Sequence, residues 1–166
     1  MTDPRPLDPA ELSTYFVLTE AASLLQHQVE QQLQAEGGLS YIQFQLLARL
    51  ADTPAPLTMT QLADGVVYSR SGLTYQAGLL EKAGLISRAP APDDERSTVV
   101  TITEAGSALV QRILPGHVEV VRRLLFDPLD QDELRRLGAI MAHVRDHMRT
   151  QPPRSAAPRR RRTDHG

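Results

Sequence analysis

Cysteine and tryptophan are both absent from the 166 residues, and aromatic residues make up only 4% of the chain. The first absence excludes disulfides, thiolate metal sites and any cysteine redox switch. The scarcity of large rings means that a core must be built from Leu, Val, Ile and Ala. No run of 18 apolar residues occurs, so no transmembrane helix is expected. The opening Met-Thr-Asp-Pro-Arg-Pro-Leu-Asp-Pro-Ala-Glu-Leu is acidic and proline-punctuated, unlike a secretory signal, and the expected location is the cytoplasm. A chain of this length is too short for a two-domain dinucleotide enzyme but suffices for one compact core. No nucleophile–base pair, phosphate loop or metal cluster is evident, so neither an enzyme nor a cofactor is expected.

The formal net charge of −2 hides a division. Residues 152–166 carry Arg154, Arg159, Arg160, Arg161 and Arg162 against Asp164, a tail of +4, which leaves the remainder at −6. An acidic body does not bind nucleic acid by bulk charge, although a few well-placed groups can. Every basic side chain except Lys82 is Arg, the better fork for phosphates and guanine edges.

The apolar spacing predicts mostly helix. Asp8-Pro9-Ala10-Glu11 reads as a helix start. Leu12, Phe16, Leu18, Ala22, Leu25, Val29 and Leu33 then recur at helical intervals up to Gly37-Gly38. Ser40 caps a second helix with Ile42, Leu46, Leu47 and Leu50 inward, ended by Pro54-Ala-Pro56. Thr58 opens a short third helix with Met59, Leu62 and Ala63. Ser69 caps a fourth helix reaching about Lys82, with Gly84 as its stop. Leu85-Ile-Ser-Arg88 and Ser97-Thr-Val-Val-Thr-Ile102 read as two strands joined by a polar turn over 89–96. Thr103 caps a fifth helix with a kink expected at Pro115-Gly116. Asp130-Gln-Asp-Glu133 is a capping box that opens a sixth. The expected fold class is mainly α with a small β-hairpin: a winged helix-turn-helix lobe plus a helical dimerisation region.

The fourth helix carries the functional signal. With Leu73 at the centre of the inward face, Ala77, Leu80 and Gly84 fall within about 40° of it. Ser71, Thr74, Tyr75, Gly78 and Lys82 lie on the far side, with Arg70 at the margin. Small hydroxyls, a phenol and a glycine let a helix sink into a major groove. At the hairpin tip, Asp94 is expected to pair with Arg96 and aim it at a narrow minor groove.

Leu57-Thr-Met-Thr-Gln-Leu-Ala63, Tyr68-Ser-Arg-Ser-Gly-Leu-Thr74, Leu80-Glu-Lys-Ala-Gly-Leu-Ile86, Asp94-Glu-Arg-Ser97 and Thr101-Ile-Thr-Glu-Ala-Gly106 together resemble the multiple-antibiotic-resistance regulator (MarR) family. Leu39-Ser-Tyr-Ile-Gln-Phe-Gln-Leu-Leu47 adds its second helix. The resemblance spans about 10–150 and implies a homodimeric transcription factor on a pseudopalindromic double-stranded operator. It implies a repressor that releases DNA when a small phenolic or aromatic acid binds. Carried over by position, Ser69, Arg70, Ser71, Thr74, Tyr75 and Gln76 are DNA contacts; Arg96 is the wing arginine, with Asp94 and Ser97 beside it. The chain departs from many members in having Tyr75 and Glu95 where a basic residue is common.

The implied organisation is an arm (1–9), one domain (10–150) and a disordered Arg-rich tail (151–166). Within the domain, the winged lobe covers 40–103 and the dimerisation helices 10–36 and 104–150. Tyr15, His27 and His117 are candidate ligand contacts; His27 and His117 could approach each other across the first and fifth helices and meet an acidic ligand, which the sequence does not show. His143-x-x-x-His147 has helical metal spacing but is read as a surface pair, and no metal site is assigned. The alternative function is a helical protein-interaction module with a vestigial DNA-binding lobe, favoured by the acidic body. No membrane partner is expected.

Overall fold

The computed structural model describes residues 5–66 and 69–150, with only the backbone described at Arg70 and Glu95. The Arg-rich tail and the first four residues of the arm lie outside the described residues. The elements in order are α1 (Pro9–Gly37), α2 (Tyr41–Ala51), β1 (Leu57–Thr58), α3 (Met59–Gly65), α4 (Arg70–Lys82), β2 (Ile86–Ala91), β3 (Asp94–Ile102), α5 (Glu104–Val121), a π-helical turn (Arg122–Phe126) and α6 (Gln131–Arg149).

Helix starts follow local chemistry. Asp8, Ser40, Thr58 and Asp130 each form a reciprocal capping box with the Glu or Gln three residues on. Such pairs satisfy two backbone donors that the helix itself cannot. Ser69 and Thr103 cap α4 and α5 with one side-chain acceptor each.

One aliphatic core joins the elements. It holds Val29 and Leu33 of α1, Leu46, Leu47 and Leu50 of α2, and Leu62 of α3. Leu73, Ala77 and Leu80 of α4, Val100 of β3 and Ile113 of α5 complete its centre. Phe44, one of the chain's few rings, is also buried, although the helical pattern of α2 did not mark it as inward.

The sheet differs from a two-stranded hairpin. Its order is β1-β3-β2, all antiparallel, with Leu57 opposite Val100 and Ile86 opposite Ile102. β1 is only two residues long, too short to produce a periodic signal. β2 extends through Pro90 instead of ending at Arg88, because it is an edge strand, where a residue without an N–H costs no ladder bond. Pro90 pairs with Thr98 but Ala91 pairs with Asp94, so residues 95–97 loop out of the ladder. Pro115, where a kink is expected, lies inside α5. The helix continues through that residue, and a π-helical turn the sequence did not announce follows at Arg122–Phe126.

Two apolar faces stay uncovered in the protomer. Leu12, Phe16, Leu18 and Leu24 on the first two-thirds of α1 are exposed, and no residue of α6 is buried. On α6, Leu134, Ile140, Met141 and Met148 face outward. No helix among the described residues is long and apolar enough to cross a membrane.

Candidate nucleic-acid interface

Helix α4 divides cleanly into two faces. Leu73, Ala77 and Leu80 are at most 2% exposed, whereas Tyr75 is 65% exposed. Ser71 and Thr74 are exposed beside Tyr75, and Gly78 is half-buried. Ser69 starts the helix by accepting the Gly72 N–H at 3.3 Å. Gly84, at φ +73°, ends it. The Leu85 N–H then donates back to the Leu80 carbonyl at 3.0 Å, which turns the chain directly into β2.

The wing meets this helix at a cleft of about 300 Å³ lined by Met59, Thr60, Thr74, Arg88, Arg96, Ser97 and Thr98. Two guanidinium groups and four hydroxyl side chains therefore line one concavity between α3, α4 and the wing. That is a donor set suited to a phosphate backbone. Arg96 is exposed, and Ser97 is half-buried. The expected Asp94–Arg96 pairing takes a different form: Asp94 Oδ1 accepts the backbone N–H of Arg96 at 3.0 Å. Asp94 thus folds the wing tip, and the looped-out stretch 95–97, not a side-chain ion pair, determines where Arg96 emerges.

Sequence reasoning missed the pair that fixes the wing to α4. Arg88 Nε and Nη2 donate to Glu81 Oε2 at 2.9 and 2.6 Å, and the Arg88 backbone N–H donates to Glu81 Oε1 at 3.1 Å. The hydrogen bond from the Arg88 side chain holds the Glu81 carboxyl below its ordinary pKa. A seven-residue separation across a turn has no periodic signature, so this bond was not readable from spacing. A second missed residue is Gln43 of α2, whose Nε2 donates to Gln76 Oε1 at 3.1 Å. Gln76, expected at the groove, is half-buried at the edge of the open face, beside α2.

The candidate ligand contacts do not converge. Tyr15 is 54% exposed near the start of α1, with its ring 5.7 Å from that of Phe16. His27 borders a shallow groove on α1 with Glu30, Gln31 and Gln34. His117 lies in a different recess with Tyr41, Phe44, Arg49 and Asp52, its ring 4.6 Å from Phe44. Within one protomer His27 and His117 line separate recesses. Burial pushes the His117 pKa down, and its buried Nδ1 has no partner among the described residues. His143 and His147 are exposed on α6.

The profile of the MarR family matches residues 37–97, the span from the end of α1 to the wing tip. The HTH-type transcriptional regulator PecS of Dickeya dadantii is 33% identical over 112 residues, covering 66% of this chain and 67% of PecS. The chain belongs to the MarR family. Among solved structures, this MarR chain resembles Sco3205 of Streptomyces coelicolor, a MarR family transcriptional regulator crystallised in complex with DNA. That match has 34% identity and a TM-score of 0.85, over 95% of this chain and 98% of that one. AbsC, another MarR family regulator of the same organism, matches at 30% identity and a TM-score of 0.82, over 89% and 100% of the two chains. This MarR protein is a DNA-binding transcriptional regulator with a winged helix-turn-helix fold.

Proposed function

We propose that the protein acts in the cytoplasm as a homodimer that grips a pseudopalindromic operator and represses a nearby gene. One observation carries the reading: an α4 face of small and hydroxyl-bearing side chains is flanked on the same side by a cleft containing Arg88 and Arg96. Ser71, Thr74 and Tyr75 enter the major groove. Ser69 and Arg70, at the start of α4, meet phosphates, and Arg96 with Ser97 meets the backbone at the minor groove. Residues 40–103 form the DNA-binding lobe, and 10–36 with 104–150 form the dimerisation region. The uncovered apolar faces of α1 and α6 support this division, because a second copy is the partner such a dimer supplies.

A small phenolic or aromatic acid is the proposed releasing ligand. The His117 recess supports it, with Phe44 and Tyr41 as ring surfaces and Arg49 as a cation. The mechanism is a population shift: the ligand favours a spacing of the two α4 helices that no longer matches successive grooves. A mobility-shift assay with the DNA upstream of its own gene tests the reading. Nanomolar, sequence-specific, salt-dependent binding is expected. Weak binding indifferent to sequence favours the protein-interaction alternative that the acidic body suggests.

A further inference from the structure

The Gln43–Gln76 bond has a fixed polarity, and that polarity bears on which bases are read. The two ends of a glutamine amide are chemically opposite, so its neighbours decide which end faces where. Gln43 Oε1 accepts the backbone N–H of Ser40 at 3.0 Å, closing the α2 capping box. A backbone N–H can only donate, so the Gln43 oxygen must face Ser40 and its Nε2 must face α4. Gln76 must in turn present its oxygen to α2, as it does at 3.1 Å. Its Nε2 has no partner among the described residues and is not among the buried unpaired atoms. Gln76 sits one position beyond the exposed Tyr75, at the margin of the face that enters the groove.

We propose that Gln43, which touches no DNA itself, is a specificity-determining positioning residue: it orients the Gln76 amide so that α4 offers a donor, and not an acceptor, at one base pair of each half-site. An unrestrained glutamine reads adenine with both ends, its oxygen taking N6–H and its nitrogen giving to N7. With the oxygen turned to α2, the remaining N–H can reach guanine O6 or N7, thymine O4 or adenine N7, and cytosine alone offers it no acceptor. The inference rests on the operator-binding reading above and adds a base preference to it.

The polarity can be reversed by one substitution. In Gln43→Glu the carboxylate still accepts the Ser40 N–H, so the capping box and α2 survive. It cannot donate to Gln76. The Gln76 amide then turns over, gives its Nε2 to residue 43 and shows its oxygen to the groove, favouring adenine N6 or cytosine N4. The experiment is binding-site selection from a random duplex library with the full chain, for wild type, Gln43→Glu, Gln76→Met and the double variant. The readout is relative base preference, because the added negative charge weakens all DNA alike. Thermal melting checks that the variants fold.

A roughly ten-fold change from guanine and thymine toward cytosine is expected at one position per half-site, the size of one base-edge interaction, with adenine accommodated by both orientations. Gln76→Met should flatten that position, and Gln43→Glu should change nothing further there. An unchanged motif in a folded Gln43→Glu protein overturns the inference while leaving operator binding intact. A shift that persists with Gln76→Met also overturns it. Failure of the folded wild type to select any motif overturns the operator-binding reading together with the inference.

Discussion

Glu81 and Arg88 are joined by three hydrogen bonds across the turn between α4 and β2, one of them from the Arg88 backbone. These bonds tie the last turn of α4 to the first part of the wing. Arg88 also passes about 4.0 Å from where a Cβ on Gly78 would stand, so it lies along the helix at the second of its two glycines.

Breaking this clamp should separate folding from binding. Arg88→Ala removes a partly exposed pair, which contributes little to stability. It nonetheless frees the wing from α4 and removes one cation from the cleft. A roughly ten-fold loss of operator affinity with little change in melting temperature is expected. Equal losses of affinity and stability would show that Arg88 serves the fold alone.

The same pair sets an acid limit. The folded-state pKa of Glu81 is depressed, so its contribution is complete above the ordinary value of 4.5 and is lost as the pH falls through the folded value. Glu81→Gln should therefore lower stability only slightly at neutral pH, in keeping with a partly exposed pair, and match wild type once the carboxyl is protonated. Melting curves between about pH 7 and pH 3 would reveal the convergence.

Helix and wing should divide the work of recognition. Arg96→Ala should weaken operator and scrambled DNA alike and lower the salt slope by about one unit. Thr74→Ala and Tyr75→Ala should compress the ratio of specific to non-specific affinity, by ~1–3 kcal/mol where a good base contact is lost. The assignment is reversed if Arg96→Ala leaves non-specific binding untouched while Tyr75→Ala changes it, measured at fixed salt.

Assembly depends on the uncovered helices. Phe16→Glu combined with Ile140→Glu places charges on two exposed apolar faces. Light scattering at micromolar concentration should show wild type near twice the chain mass of 18.3 kDa and the variant near one. A wild-type protein that already scatters as a monomer removes the homodimer from the proposal.

A backbone contact gives the strongest stability prediction. A Cβ on Gly106 would stand 2.1 Å from the Leu85 carbonyl oxygen and 2.9 Å from Ile102. Thr103 beside it donates to the Gly84 carbonyl at 2.7 Å. Gly106→Ala must push α5 off the α4–β2 turn, costing about 1–3 kcal/mol. A wild-type melting temperature in this variant would mean the approach is looser than the structure has it.

Sequence spacing exposed those parts of the fold whose chemistry is local. The caps at Asp8, Ser40, Thr58, Ser69, Thr103 and Asp130 fall where short-range pairing places them, and the Leu73, Ala77, Leu80 stripe is the buried side of α4. What could not be read depends on elements meeting at a distance. The partner of Gln76 lies 33 residues earlier, on another helix. β1 exists only because β3 is there to pair with it. Asp94 bonds the Arg96 backbone and not its side chain, because a sequence does not say whether a carboxylate will take a guanidinium or a peptide N–H. The long apolar pattern of α1 was also legible, but much of the surface that it covers is not in this protomer.

The two faces of α4 bear different loads. Leu73, Ala77 and Leu80 carry the packing, while Ser71, Thr74 and Tyr75 contribute nothing to the core. Changes on the outer face leave the scaffold's stability nearly untouched, since exposed substitutions away from special features usually move it by less than about 0.5 kcal/mol. The lobe can thus drift from one operator to another through a series of folded intermediates. Gln43 widens that freedom, because a residue on α2 can retune recognition while every position on the groove-facing side stays as it is.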